Sequence, residues 1–171
     1  MKRILFFLII ALPVTGFAQE SQIDDFFEKY SGKEGYTTII FTKEMFELYS
    51  NGGNSTQEKD SDNVPGEITS MKMLTVNSDT KRSESFNKEL QSILPQNKYK
   101  KLMEIKEADS NITFLIRQEG NRIKEFIMTI EGTSPLLIYI KGDMDLDQLS
   151  KLSDSMDIEG FDKLDKINEA K

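Results

Sequence analysis

The chain has no cysteine, no histidine and no tryptophan among its 171 residues. Without cysteine there are no disulfides, so the apolar core alone has to hold the fold in an oxidising compartment. Without imidazole or thiolate the usual zinc and copper sites are excluded. Cys–His nucleophiles and serine nucleophiles activated by histidine are excluded too. What remains is carboxylate, lysine, tyrosine or oxygen-ligand chemistry. Positive charge is also in short supply: 22 Lys and Arg against 29 Asp and Glu give a formal net charge of −7. Such a chain repels nucleic acid, which needs a basic face, and is poorly attracted to anionic lipid. The acidic balance also favours solubility.

The one long apolar run stands at the start. Lys2 and Arg3 precede an uninterrupted apolar stretch over residues 4–12, Pro13 breaks it, and Gly16-Phe17-Ala18 offers small residues at the −3 and −1 positions of a cleavage site. This is the pattern of a secretory signal peptide. It is too short to span a bilayer, and no second stretch is long enough to stop transfer. The expectation is cleavage near Ala18, a periplasmic or secreted location, and no integral membrane segment after cleavage. No cysteine stands near the site, so lipid attachment there is excluded. Residues 19–171 then form a single domain, with a net charge of −9 once Lys2 and Arg3 are removed.

Periodicity predicts the elements of that domain. Ile23, Phe26, Phe27 and Tyr30 fall at helical spacing after Ser21, with Asp24 and Asp25 in the first turns. Gly32 and Gly35 bracket the loop that follows. Residues 36–41 are β-branched and aromatic and predict a strand. Thr42 is the expected N-cap of a short helix with Met45, Phe46 and Tyr49 on one face; Phe41 and Phe46 then have the spacing of a hydrophobic staple. Residues 51–63 hold no apolar side chain and predict a mobile loop within the domain. A strand over 66–76 and a helix over 79–94, ended by Pro95, come next.

The second half predicts a meander of strands at 102–108, 112–118, 122–130 and 136–141. A three-residue loop in the middle hairpin groups Ile112, Phe114 and Ile116 with Lys124, Phe126, Met128 and Ile130. The opposite face then carries Thr113, Leu115, Arg117, Ile123, Glu125, Ile127 and Thr129, with Arg117 and Glu125 as diagonal neighbours able to pair. A two-residue loop would regroup these sets and bury less apolar surface. Asp145 and Gln148 form a capping box for a helix over 145–152, and a last amphipathic helix is expected over 160–169.

Several blocks in order resemble the domain-of-unknown-function 4252 family: residues 30–38 (Tyr30-Ser31-Gly32-Lys33-Glu34-Gly35-Tyr36-Thr37-Thr38) followed by Lys43-Glu44-Met45-Phe46; Tyr99 with Leu102-Met103; Ile123-Lys124-Glu125-Phe126; and Gly142-Asp143-Met144-Asp145-Leu146. The resemblance implies small exported proteins of Gram-negative bacteria with a signal peptide and no established activity. Some members carry a lipoprotein cysteine after the signal, from which this chain departs. The family has no catalytic residues to carry over.

Three candidate sites follow from residue type. Asp143-x-Asp145-x-Asp147, with Asp154 at position 12, resembles a calcium loop. Gln148, however, stands where that loop turns on glycine, so a helix cap is the preferred reading. Glu125, set among apolar strand residues, is a candidate acid or base if burial raises its pKa. An ion pair with Arg117 is the simpler role, and glycosidase-like chemistry would need a second carboxylate such as Asp24, Asp25 or Glu28. Met45, Met71, Met73, Met103, Met128, Met144 and Met156 have the spacing of core filler rather than of a copper(I) site.

The expected fold is α+β: an antiparallel sheet of about five or six strands with helices mainly on one face. The expected function is a non-enzymatic binding or interaction module of the cell envelope. It would have no cofactor and no nucleic-acid partner, and an envelope protein or surface component would be its target. The expected contact surface is Leu115, Arg117, Ile123, Glu125 and Ile127, provided helices leave that face open. The rival reading is a carboxylate-based hydrolase or small-ligand binder with a pocket under the 51–63 loop.

Overall fold

In a computed structural model of the protein the described residues are 22–51, 67–77, 80–94, 97–132 and 134–156. The expected signal peptide, the 51–63 loop beyond Asn51 and the helix over 160–169 lie outside them.

The elements follow the apolar periods. Helix α1 (Gln22–Tyr30) buries Ile23, Phe26, Phe27 and Tyr30 on one stripe. Strand β1 (Tyr36–Thr42) leads directly into α2 (Lys43–Asn51). The rings of Phe41 and Phe46 lie 6.3 Å apart, the staple that sets the angle between strand and helix. Strand β2 (Glu67–Val76) and α3 (Thr80–Ile93) precede the meander β3 (Lys100–Lys106), β4 (Ser110–Glu119), β5 (Arg122–Gly132) and β6 (Leu136–Met144). Helix α4 (Leu146–Met156) follows.

All six strands form one antiparallel sheet in the order β1-β2-β6-β5-β4-β3. The meander supplies one half, and β2 docks on β6 to add the first hairpin outside it. Strands β1 and β3 are therefore the two edges.

The α+β architecture and strand number agree with expectation, but the helices are divided between the faces. Helices α1 and α3 cover one face, packing Ile23, Phe26, Phe27, Tyr30, Phe86 and Leu90 over Leu74, Ile127, Leu137 and Tyr139. On the other face Leu149 and Leu152 of α4, with Phe46 of α2 at the margin, join Met71, Phe114, Phe126, Ile138 and Ile140. The cause is legible in β6. Leu137 and Tyr139 point to one side and Ile138 and Ile140 to the other, and all four are 0–1 % exposed. A central strand apolar on both sides needs cover on both sides.

The middle hairpin combines the two registers considered. In the strand bodies Ile112, Phe114 and Ile116 stand opposite Ile130, Met128 and Phe126, as the three-residue loop requires. At the tip, however, Glu119 pairs with Arg122, leaving Gly120-Asn121 as a two-residue turn; Gly120 has the positive φ (60°) of a primed hairpin turn. A β-bulge reconciles the two. Lys124 has no partner in either neighbouring ladder, and this extra residue flips the strand between Ile123 and Glu125. Ile123 thus joins the α4 face rather than the face of Glu125. Arg117 stands directly opposite Glu125, not diagonal to it. At the other end of the hairpin a Cβ on Gly132 (φ 143°) would lie 2.4 Å from the Asp109 carbonyl oxygen, so only glycine fits there.

Candidate functional site

The surface expected to make contacts is not open. Ile127 is 0 % exposed beneath α1 and α3, and Ile123 is 1 % exposed on the opposite face. Leu115 is partly buried against the α1–α3 cluster. The condition on that surface fails because helices cover it, and the bulge at Lys124 had already removed Ile123 from it. Of the five residues, Arg117 and Glu125 remain together, as a charged pair.

That pair is the centre of a network. Arg117 Nε donates to Glu125 Oε1 at 2.9 Å, and Arg117 Nη1 reaches Glu119 at 2.6 Å. The Tyr99 hydroxyl donates to Glu125 Oε2. Burial works to raise the Glu125 carboxyl, but hydrogen bonds from Tyr99, Arg117 and Tyr139 and the Arg117 charge outweigh it. Its pKa falls below the ordinary range. Burial and the neighbouring carboxylate push the Tyr99 phenol upward instead. A carboxylate so held is ionised at neutral pH. It can accept hydrogen bonds and orient Tyr99, but it is a poor general acid.

Asp24 forms a second network. Helical spacing turns it inward beside Ile23 and Phe27, and its side chain is only 9 % exposed. Lys72 of β2 donates to Oδ1 at 2.8 Å and Lys141 of β6 donates to Oδ2. The same cations lie over rings, Lys72 at 5.8 Å from the Phe27 centroid and Lys141 at 5.2 Å from that of Tyr139. Burial again opposes ionisation, and the two lysines overcome it and lower the pKa. The arrangement fixes α1 on the central strands. Asp25 and Glu28 face outward on α1. The structure therefore does not bring them to Glu125 as a second carboxylate.

The calcium-like acids are occupied by cations and by the backbone. Asp143 pairs with Arg122 (2.6 Å) and Lys124 (2.9 Å), and Asp145 with Arg122 at 3.3 Å. Asp145 Oδ1 accepts from the Gln148 N–H while Gln148 Oε1 accepts from the Asp145 N–H, both at 2.9 Å. That is the capping box read from the sequence, and it directs Asp145 to the helix. Asp147 meets Lys151 at 3.4 Å, and the side chain of Asp154 is outside the described set. Met71, Met128 and Met144 are buried in the apolar core, with Met73 and Met103 packed against it. Among the described residues no group of three or more Asp or Glu is placed to hold a metal ion.

A feature not anticipated lies at the β1 edge. The large apolar side chains that are exposed among the described residues are Ile39 (41 %), Ile40 (53 %), Met45 (44 %) and Leu48 (71 %), all on β1 and α2. Met45 thus faces solvent instead of sharing a buried stripe with Phe46. The signal was present in the composition: β1 reads Tyr-Thr-Thr-Ile-Ile-Phe-Thr, seven residues without a charge in a chain of which 30 % is charged. What the composition does not contain is the strand order that makes β1 an edge.

A six-stranded antiparallel sheet flanked by two helix pairs places the chain among α+β proteins. Residues 30–152 match the model of the domain of unknown function DUF4252, and the chain belongs to that family. No curated protein and no solved structure matches it. No helix among the described residues is long and apolar enough to cross a membrane.

Proposed function

We propose that the protein is an exported, non-enzymatic binding module of the bacterial cell envelope that makes its contacts through the edge formed by β1 and α2. The observation that carries this reading is that the exposed large apolar side chains among the described residues, Ile39, Ile40, Met45 and Leu48, all lie on β1 and α2, consecutive elements at one edge of the sheet. Clustered exposed apolar side chains on a soluble domain mark contact surfaces. The inward carboxylates of Asp24 and Glu125 support the same reading, because each is held ionised by fixed cations and donors and serves to seat elements on the sheet. Export rests on residues 1–18, whose basic start, apolar run and small-residue cleavage motif are those of a secretory signal.

Two measurements test the reading. Mass spectrometry of the protein recovered from the periplasmic fraction should find a first residue of Gln19; retention in the cytoplasm at full length would overturn export. Cross-linking in intact cells, followed by capture, should recover an envelope component with the native protein and lose it with Leu48→Glu. Equal recovery by both would remove this edge from the proposal.

A further inference from the structure

We propose that Met45 is an oxidation site, at which a peroxide converts the thioether to the sulfoxide and so removes apolar character from the β1–α2 edge. The consequence for contacts rests on the binding reading above; the reaction itself stands on the chemistry of the chain and on burial.

The side chains that ordinarily intercept a two-electron oxidant are missing. The chain has no cysteine, no histidine and no tryptophan, and it has eight methionines. Thiolates are the most susceptible groups, and the thioether is the next soft, polarizable sulfur. With thiol, indole and imidazole absent, methionine sulfur is the most reactive target that a peroxide meets in this chain. Met1 stands ahead of the expected signal cleavage.

Burial selects among the others. Met71 and Met128 are 0 % exposed and Met144 is 1 % exposed. Met73 and Met103 are half-buried against the same core. Met45 is 44 % exposed. The side chain of Met156 is outside the described set. Oxygen transfer requires the oxidant to touch sulfur. A core methionine therefore reacts only when the fold opens around it, whereas Met45 reacts in the native state.

Local structure explains the exposure. Helix α2 begins at Lys43, directly after β1. Its Phe46 turns toward the sheet and meets Phe41, with ring centroids 6.3 Å apart. A helix turns by about 100° per residue, which carries Met45 off that stripe. Leu48, three residues on, is a neighbour of Met45 on the helix surface and is 71 % exposed. Lys43 and Glu47, paired at 3.2 Å, show how the same helix otherwise meets solvent. A flexible thioether among them suits a surface that adapts to what it touches.

The step balances in atoms and electrons. The sulfur lone pair attacks one peroxide oxygen, and the S–O bond forms as the O–O bond breaks. The departing hydroxide takes the proton of the transferred oxygen and leaves as water. Sulfur loses two electrons and the peroxide gains them. A flexible apolar side chain has become a polar one. Because the core methionines are spared, the change falls on the surface of α2 and leaves the packing of the sheet in place.

Oxidation kinetics test the site. The purified protein is treated with limiting hydrogen peroxide, either folded or in urea, and each methionine is followed by peptide mapping with mass spectrometry. In urea all should react at similar rates. In the folded protein Met45 should keep nearly its unfolded rate, while Met71, Met128 and Met144 slow by at least about tenfold. Slowing of Met45 to match those three would overturn the proposal.

Retention on a phenyl matrix tests the consequence. Protein oxidised at Met45 should elute earlier than untreated protein, in the same direction as Leu48→Glu, with unchanged circular dichroism. Met45→Leu keeps volume and helix propensity and should elute unchanged after the same treatment. Co-elution of oxidised and untreated native protein, or an equal shift in Met45→Leu, would sink the claim that Met45 controls the edge. Neither readout uses an envelope component. Failure to capture one with the native protein would therefore remove the binding reading and leave the oxidation site standing.

Discussion

The two faces of the sheet are held by different physics. The α4 face is apolar throughout its centre: Met71, Phe114, Phe126, Ile138 and Ile140 are all 0 % exposed, and charged residues such as Arg122 and Asp143 stand only at its rim. The α1–α3 face has equally buried aromatic packing, with Phe26, Tyr30 and Phe86 in mutual contact at 4.8–5.6 Å. It also takes charge inward. Lys72 and Lys141 rise from β2 and β6 beneath α1, and Asp24 comes down to meet them; Glu125 rises beneath Tyr99. Apolar packing is non-directional and leaves a helix free to slide or rotate, whereas a carboxylate bonded by two fixed cations permits one placement of α1. The difference teaches that in this fold stability comes from both faces, while the seating of α1 and of the chain at Tyr99 is specified by one.

The largest expected effect treats the faces as equals. Phe126→Ala on the α4 face and Phe86→Ala on the α1–α3 face should each cost about 3–5 kcal/mol in urea unfolding. A much smaller cost on one side would mean that its packing is loose. Next, Asp24→Ala should cost about 2–4 kcal/mol, because it leaves two lysines facing a covered site. Their partial exposure (21 % and 34 %) keeps the loss below that of a fully buried pair. Changing Asp24, Lys72 and Lys141 together to apolar residues should restore most of that stability. If the triple variant is as unstable as Asp24→Ala alone, the charges contribute more than placement.

Acid should separate the faces as well. The folded-state pKa values of Asp24 and Glu125 are depressed, so the stability they supply is present above the unfolded values near 4 and is lost as pH falls through the folded ones. Urea midpoints should decline below about pH 5, and less steeply in Asp24→Ala and Glu125→Gln, each compared with its own value at neutral pH. An unchanged slope in both would contradict the assignment. The smallest effect concerns the rim of the apolar face: Asp145→Ala removes the cap of α4 and should cost about 1 kcal/mol.

What was legible in the sequence was local. The stripe of α1, the Phe41–Phe46 staple and the Asp145–Gln148 box depend on neighbours a few residues apart, and each is found as read. The body of the β4–β5 register was legible because only one pairing gathers Phe114, Ile116, Phe126 and Met128 on one side. The bulge at Lys124 was not, since a single extra residue leaves no mark on composition, and it misplaced Ile123. Nor was the division of the helices between faces, although the apolar run Leu136–Ile140 was its signal. The β1 edge depends on strand order, which is set by contacts distant in sequence. The site suffered most from this. The proposed contact surface proved to be a seat for helices, and only the pairing of Arg117 with Glu125 survived.

The central proposal is that the buried carboxylates are architectural rather than catalytic. Its most direct test is an NMR titration of the folded protein that follows the side-chain carboxyl carbons of Asp24 and Glu125. Both should stay ionised through the range in which free Asp and Glu take up protons and titrate only below it. A midpoint above that range for either residue would contradict the account, and would give the fold an acid poised for chemistry near neutral pH.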